Sequence, residues 1–182
     1  MYNKIFIGLL FCLPLINPSL HKNHAVSKAL AISQQEPVLM KAGGAKQFSG
    51  VGYYATTDEC DYEGMGAAYA VRMTGDLEGC LYAFIDAYEC SPSGTYREVG
   101  REYFVGTYNG KYGTFWTTYK FEAKYEGCAE NGAPLGAEIF GRCQHPLVAG
   151  SGTGVFSGAT GRLDMKDNVE EGSFPYRGHL RF

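Results

Sequence analysis

The stretch Gly113-Thr-Phe-Trp-Thr-Thr-Tyr-Lys-Phe-Glu-Ala-Lys-Tyr-Glu126 decides the fold class. Phe115, Thr117, Tyr119, Phe121, Ala123 and Tyr125 occupy one parity; Thr114, Thr118, Lys120, Glu122, Lys124 and Glu126 occupy the other. A strict period of two is the signature of a strand with one face on a core and one in water. Trp116 breaks the pattern by sitting on the wet face, which marks a barrel end or a contact surface.

Outward from this strand the same grammar repeats. Asn109-Gly110 precedes it, and Asn-Gly is a strong tight-hairpin signal because both central residues take positive φ. Ser91-Pro92-Ser93-Gly94 and Asn131-Gly132 are further turns. The spacing predicts eight strands, at 50–57, 66–74, 79–90, 95–108, 112–126, 136–144, 152–166 and 172–182, and no sustained helical period. In the last of these, Phe174, Tyr176, Leu180 and Phe182 share a face opposite Pro175, Arg177, His179 and Arg181. One-sided burial belongs to antiparallel sheets, and eight such strands remove their edges by closing into a barrel, with a two-sheet sandwich as the other arrangement. Composition agrees. With 25 glycines, 14 tyrosines and 11 phenylalanines in 182 residues, the chain is a poor helix former and is too aromatic for disorder.

The amino terminus differs. Lys4 is followed by the apolar run Ile5–Ile16, too short to cross a bilayer but of the length of a secretory signal's core. Residues 1–31 therefore read as a signal peptide, with cleavage after Ala25 or Ala31, followed by a linker at 32–48 and one domain at 49–182. Losing Lys4, Lys22 and Lys28 leaves 13 basic against 19 acidic side chains, a net charge of −6 instead of −3. That balance repels phosphate backbones, so no nucleic acid is expected, and no other segment is long enough to be an integral membrane span. The expected location is secreted or periplasmic, and self-association is left open.

Five cysteines remain after processing: Cys60, Cys80, Cys90, Cys128 and Cys143. In an exported chain they predict two disulfides and a spare thiol, and Cys128 with Cys143 flank a hairpin as one candidate pair. Neither metal nor cofactor is expected. There is no Cys-x2-4-Cys pair, and the acidic turn Asp58–Glu63 lacks calcium-loop spacing.

The densest glycine signal is Gly150-Ser-Gly-Thr-Gly-Val-Phe-Ser-Gly-Ala-Thr-Gly161. It has no Gly-Lys-Ser/Thr and no dinucleotide spacing, so it is not a phosphate loop. Its glycines suit a sharp barrel corner, with Phe156 and Leu163 plugging the barrel. The motif and the aromatic final strand resemble the closing strands of the allene oxide cyclase-like barrel family. They are also similar to small bacterial calycin-type barrels and, more distantly, to dirigent proteins. Thr74-Gly75-Asp76-Leu77-Glu78-Gly79 before Cys80-Leu-Tyr82 matches the entry to an early strand of those barrels. The likeness spans residues 50–182 and is most specific at 150–161. It implies the barrel fold and, as activity, a cofactor-free cyclase or isomerase that works by orientation and a little electrostatic help. None of that family's catalytic residues lies in the matching motif.

Candidate chemistry starts at Asp86, which shares a parity with Tyr82, Phe84 and Tyr88. If that face points inward, Asp86 is a carboxyl on an aromatic wall and a catalytic acid or base, with Tyr82 and Tyr88 beside it. If instead Leu81, Ala83, Ile85 and Ala87 face inward, Asp86 is a surface charge. Phe84, Trp116, Tyr119 and Phe156 are the candidate ligand-binding residues. Glu98 and Glu102 lie on a strand neither face of which is clean, and read as part of a surface ion-pair lattice; His145 before Pro146 reads as a strand end. Three functions remain: a barrel binding a small apolar ligand or a partner, a cofactor-free cyclase or isomerase, and a structural extracellular protein. A cavity with an acid or base favours the second, an apolar cavity the first, and a fully plugged barrel the third.

Overall fold

The alternation at 113–126 is realised along most of the strand: Phe115, Thr117, Tyr119 and Ala123 are buried, while Thr118 and Lys120 are exposed; Thr114, expected in water, is instead buried where Thr153 covers it. The computed structural model describes residues 44–182. The segment read as a signal peptide lies outside them, as does residues 32–43 of the segment read as linker. The described chain forms β1 (Lys46–Tyr54), β2 (Tyr69–Gly75), β3 (Leu77–Cys90), β4 (Thr95–Tyr108), β5 (Lys111–Cys128), β6 (Pro134–Pro146), β7 (Thr153–Gly154), β8 (Thr160–Lys166) and β9 (Ser173–Arg181). The first strand thus opens at Lys46, three residues inside the span read as linker.

Eight strands close a ring in the order β1-β2-β3-β4-β5-β6-β8-β9, every pairing is antiparallel, and β9 returns to β1. This is the all-β, eight-stranded antiparallel closed barrel expected from the alternation. Asn109 (φ 51°) and Gly110 (φ 71°) make the predicted tight turn, and the ladder resumes at once with Tyr108 opposite Lys111. Among the described residues no helix is long and apolar enough to cross a membrane.

The span 152–166 is not a single strand. Its glycines break it into β7, a tight turn at 155–159 and β8. β7 pairs with β5 through Gly113–Gly154 and Thr114–Thr153. A Cβ at Gly113 would lie 2.4 Å from the Thr153 carbonyl oxygen and 2.8 Å from the Phe156 ring, so glycine is what admits the turn. Phe156 is fully buried and meets Phe104 at 5.8 Å and Phe115 at 4.8 Å between ring centroids, edge to face. With Leu77, Leu81, Leu163 and Leu180, these rings fill one half of the barrel. Phe156 and Leu163 are the plug, as their place in the motif suggested.

Two disulfides form, Cys60–Cys80 and Cys90–Cys128, and Cys143 is a buried free thiol. The pairing of Cys128 with Cys143 is corrected. Cys143 lies mid-strand on the inward face of β6, opposite Phe121 and Met165, whereas Cys128 ends β5 beside the end of β3. The bridges tie the β1–β2 connection and the end of β5 to β3.

Truncating Phe156 to alanine removes the plug's central ring and leaves a void that packed neighbours cannot fill. The variant is expected to lose about 3–5 kcal/mol, read in urea melts as a lower midpoint at an unchanged slope.

Candidate functional site

The chemistry of the interior is set by β4. Its inward parity runs Tyr96, Glu98, Gly100, Glu102, Phe104, Gly106, Tyr108. Glu98 and Glu102 are 6 % and 4 % exposed, so the surface ion-pair reading of these residues is corrected. Burying a carboxylate is costly unless donors surround it, and here they do. Tyr119 Oη donates to Glu98 Oε1 at 2.7 Å and Tyr96 Oη to Oε2 at 2.6 Å. Gly100 lies opposite Tyr119 and leaves room for that ring to reach Glu98. Burial, then the bonded carboxylate, pushes the hydroxyls of Tyr119 and Tyr96 well above the usual tyrosine range.

Glu102 is held on the other side. Thr117 Oγ1 donates to its Oε2 at 2.8 Å, and His145 Nδ1 lies 2.5 Å from the same oxygen. His145 stands at the end of β6, as expected, and is buried on its inward face, 2 % exposed, with its ring stacked on that of Tyr119. In the neutral tautomer whose Nδ1–H donates to Glu102, the imidazole keeps a lone pair on Nε2. Nε2 has no hydrogen-bond partner among the described residues. A buried histidine oriented by a carboxylate, with one nitrogen unspent, is the arrangement of a general base.

These groups lie along a cavity of about 210 Å³ in the half of the barrel that the plug does not fill. Its lining combines Glu98, Glu102 and His145 with the apolar Val71, Phe121, Met165 and Phe174. The volume equals about seven waters at liquid density, below the range of roughly 300–1,000 Å³ for drug-sized ligands. Burial pushes the Cys143 thiol up, with Glu102 and Asp167 adding to the effect, so it is not a thiolate nucleophile.

A second acid pair is Asp167 and Glu138, of which Asp167 lines the cavity. Asp167 follows β8, and its amide donates to the Gly141 carbonyl of β6 at 3.0 Å. The carboxyls of Asp167 and Glu138 converge over Gly141, where a Cβ would lie 2.4 Å from Asp167 Oδ2 and 2.5 Å from Glu138 Oε1. Tyr125 Oη donates to Glu138 Oε2 at 3.2 Å. Burial first, then the hydrogen bond to Glu138 and its charge, pushes Asp167 up to about 7.

The residues singled out in the sequence are distributed differently. Asp86 is on the outer face, ion-paired with Arg101 at 3.1 Å, because Leu81 and Ala83 are the buried parity of β3. Tyr82 and Tyr88 share that outer face. Phe84 and Trp116 pack against each other outside, Trp116 also stacking on Tyr103 at 4.7 Å. Phe156 belongs to the plug. Tyr119 alone of the set reaches the site, through Glu98. The signal missed in the sequence was the one-face run Glu98, Glu102, Phe104, Tyr108, whose aromatic end pulls the acids inward. Among the described residues no cluster of His, Cys, Asp and Glu is arranged to hold a metal ion. No family model, curated protein or solved structure matches the chain.

The raised Asp167 carboxyl has a consequence for stability. The folded chain holds a proton that the unfolded chain has released between about pH 4 and 7, so stability falls as pH rises across that window. Asp167→Asn is expected to be neutral near pH 4 and stabilising at pH 8 by about 1–2 kcal/mol, solvent screening taking up much of the shift. Thermal melts of both proteins at the two pH values check this.

Proposed function

We propose that the protein takes a small, largely apolar molecule into its barrel and catalyses a proton transfer on it without a cofactor, a reaction of the isomerase or cyclase class. The observation that carries this reading is His145: a buried imidazole that lines the cavity, held 2.5 Å from Glu102, whose Nε2 has no hydrogen-bond partner among the described residues. Acid and base side chains suffice for such chemistry, and a positioned base contributes typically 10²–10⁴-fold in rate. A molecule of roughly ten non-hydrogen atoms fits the volume. The same activity class is what the resemblance to the allene oxide cyclase-like barrels implies. Export to an oxidising compartment belongs to the proposal and is supported by the two disulfides.

A barrel that holds its ligand without turning it over is the second reading, favoured by the apolar walls Val71, Phe121, Met165 and Phe174. One experiment separates the two. The isomerisation of β,γ-cyclohexenone to the conjugated enone is followed by absorbance, with His145→Asn as control. Asparagine keeps a donor where Nδ1 stood, so Glu102 stays satisfied while Nε2 is lost. The wild-type protein is expected to exceed the buffer rate, and the variant to lose about 10²–10⁴-fold of that gain. A wild-type rate equal to buffer, with the ketone still bound by NMR, leaves the binding barrel.

A further inference from the structure

We propose that the molecule taken into the barrel is a small organic amine, bound as its ammonium ion, with its nitrogen at Glu102 and its apolar body between two walls of aromatic rings. This rests on the reading above that a small molecule enters the barrel, and deepens it by naming the chemical class. It holds whether or not the ligand is turned over.

Glu102 Oε1 is the atom on which the proposal turns. Glu102 is 4 % exposed and lines the cavity. Thr117 Oγ1 and His145 Nδ1 both meet its Oε2, and no group among the described residues donates to Oε1. Nor is Oε1 sealed among protein atoms, as His145 Nε2 and Glu138 Oε1 are, so the surface left to it is cavity surface. A buried carboxylate oxygen without a donor is costly, and a ligand N–H in the cavity supplies the donor. Glu98, by contrast, has both oxygens taken by tyrosine hydroxyls.

The charge around that atom is of one sign. Glu98, Glu102 and Asp167 line the cavity, and no Lys or Arg among the described residues does. None of the three is ion-paired with a Lys or Arg among those residues either. His145, in the neutral tautomer given above, adds no positive charge. The field is felt in the walls: burial first, then the charge of Glu102, pushes the Tyr69 hydroxyl well above the usual tyrosine range. A cation entering here supplies the missing counter-charge, whereas an anion meets like charges.

The walls suit a cation with an apolar body. Tyr54, Tyr69 and Phe174 come from the neighbouring strands β1, β2 and β9. Tyr54 meets Tyr69 at 5.6 Å and Phe174 at 4.8 Å between ring centroids, edge to face in both cases. Tyr96, Phe121 and Tyr125, from β4 and β5, form a second cluster, in which Tyr96 meets Phe121 at 6.1 Å and Tyr125 at 5.9 Å, again edge to face. Both clusters line the cavity. In the ring of strands β3 separates them on one side and β6 with β8 on the other, so they face each other across the interior. Rings set steeply to one another box a volume, and an ammonium group against such rings gains cation–π attraction, more so when desolvated. A metal ion needs a shell of oxygens instead, and among the described residues no such cluster forms. Tyr54 and Pro134 line the cavity and are exposed, which places its mouth between them.

The test is isothermal titration calorimetry of the whole protein near neutral pH with three probes of one shape: phenethylammonium, phenethyl alcohol and phenylacetate. The ammonium is expected to bind at least about tenfold more tightly than the alcohol, and phenylacetate not to bind. Glu102→Gln offers its amide oxygen to Thr117 and His145 and its amide N–H to the cavity. It should lose about 10- to 100-fold in ammonium affinity and bind the alcohol as before, which shows the cavity intact. Tyr54→Leu, at the exposed rim, should lose about threefold for the ammonium alone, and Tyr54→Phe should restore it. If Glu102→Gln binds neither probe, the Tyr54 variants decide, and an undiminished ammonium affinity in Tyr54→Leu overturns the proposal. Equal wild-type affinity for ammonium and alcohol overturns it even where β,γ-cyclohexenone is isomerised. So does an ammonium affinity that Glu102→Gln leaves unchanged, which places the ion outside the cavity. Selective ammonium binding that Glu102→Gln removes upholds it even where the ketone reacts at the buffer rate and the proton-transfer reading falls.

Discussion

The inward parity of β4 is the constraint on which the site depends. One face of this strand carries Phe104 and Tyr108 at one end and Glu98 and Glu102 at the other, and a strand cannot turn only half of a face inward. Burying Phe104 stabilises the barrel by about 2–3 kcal/mol, and Phe104 is the ring on which Phe115 and Phe156 pack. The acids follow it inside. A slip by one residue would expose these rings and carry Arg97 and Arg101 into the barrel instead.

Once inside, the acids dictate what surrounds them. Each glutamate needs donors that do not themselves demand burial elsewhere, and β5 and β6 supply them from the facing parity: Thr117, Tyr119 and His145. Space for the long Tyr119 ring comes from Gly100. Polar groups so arranged cannot be packed over by leucines, so the half of the barrel that holds them keeps a cavity, while the other half closes on aromatic rings. The division between plug and cavity is thus a property of one strand's composition, propagated to its neighbours through hydrogen bonds.

Much of this was legible in the chain. The period of two at 113–126, the Asn109-Gly110 turn and the glycine corner at 150–161 follow from backbone geometry alone, and each took the form expected except that the corner interrupts its strand. The candidate site was hardly legible. On β3 both parities carry apolar residues, so Tyr82, Phe84, Asp86 and Tyr88 competed with Leu81 and Ala83; on β4 both parities carry charges. Tyr119 was found because its strand was unambiguous.

What the sequence by itself determined is the alternation that makes the eight barrel strands and the turns between them, the break at 155–159 excepted, because each depends on neighbours two to four residues away. Only the tertiary structure decided which face of a mixed strand is inside, since that choice is made by rings on other strands: Phe115 and Phe156 for β4, the barrel interior for β3. The same holds for the disulfides. Cys90 meets Cys128 because the ends of β3 and β5 flank the start of β4, a proximity that sequence separation does not encode. It holds above all for the Glu102–His145 contact, 43 residues apart along the chain, which exists only where β4, β5 and β6 curve around one interior.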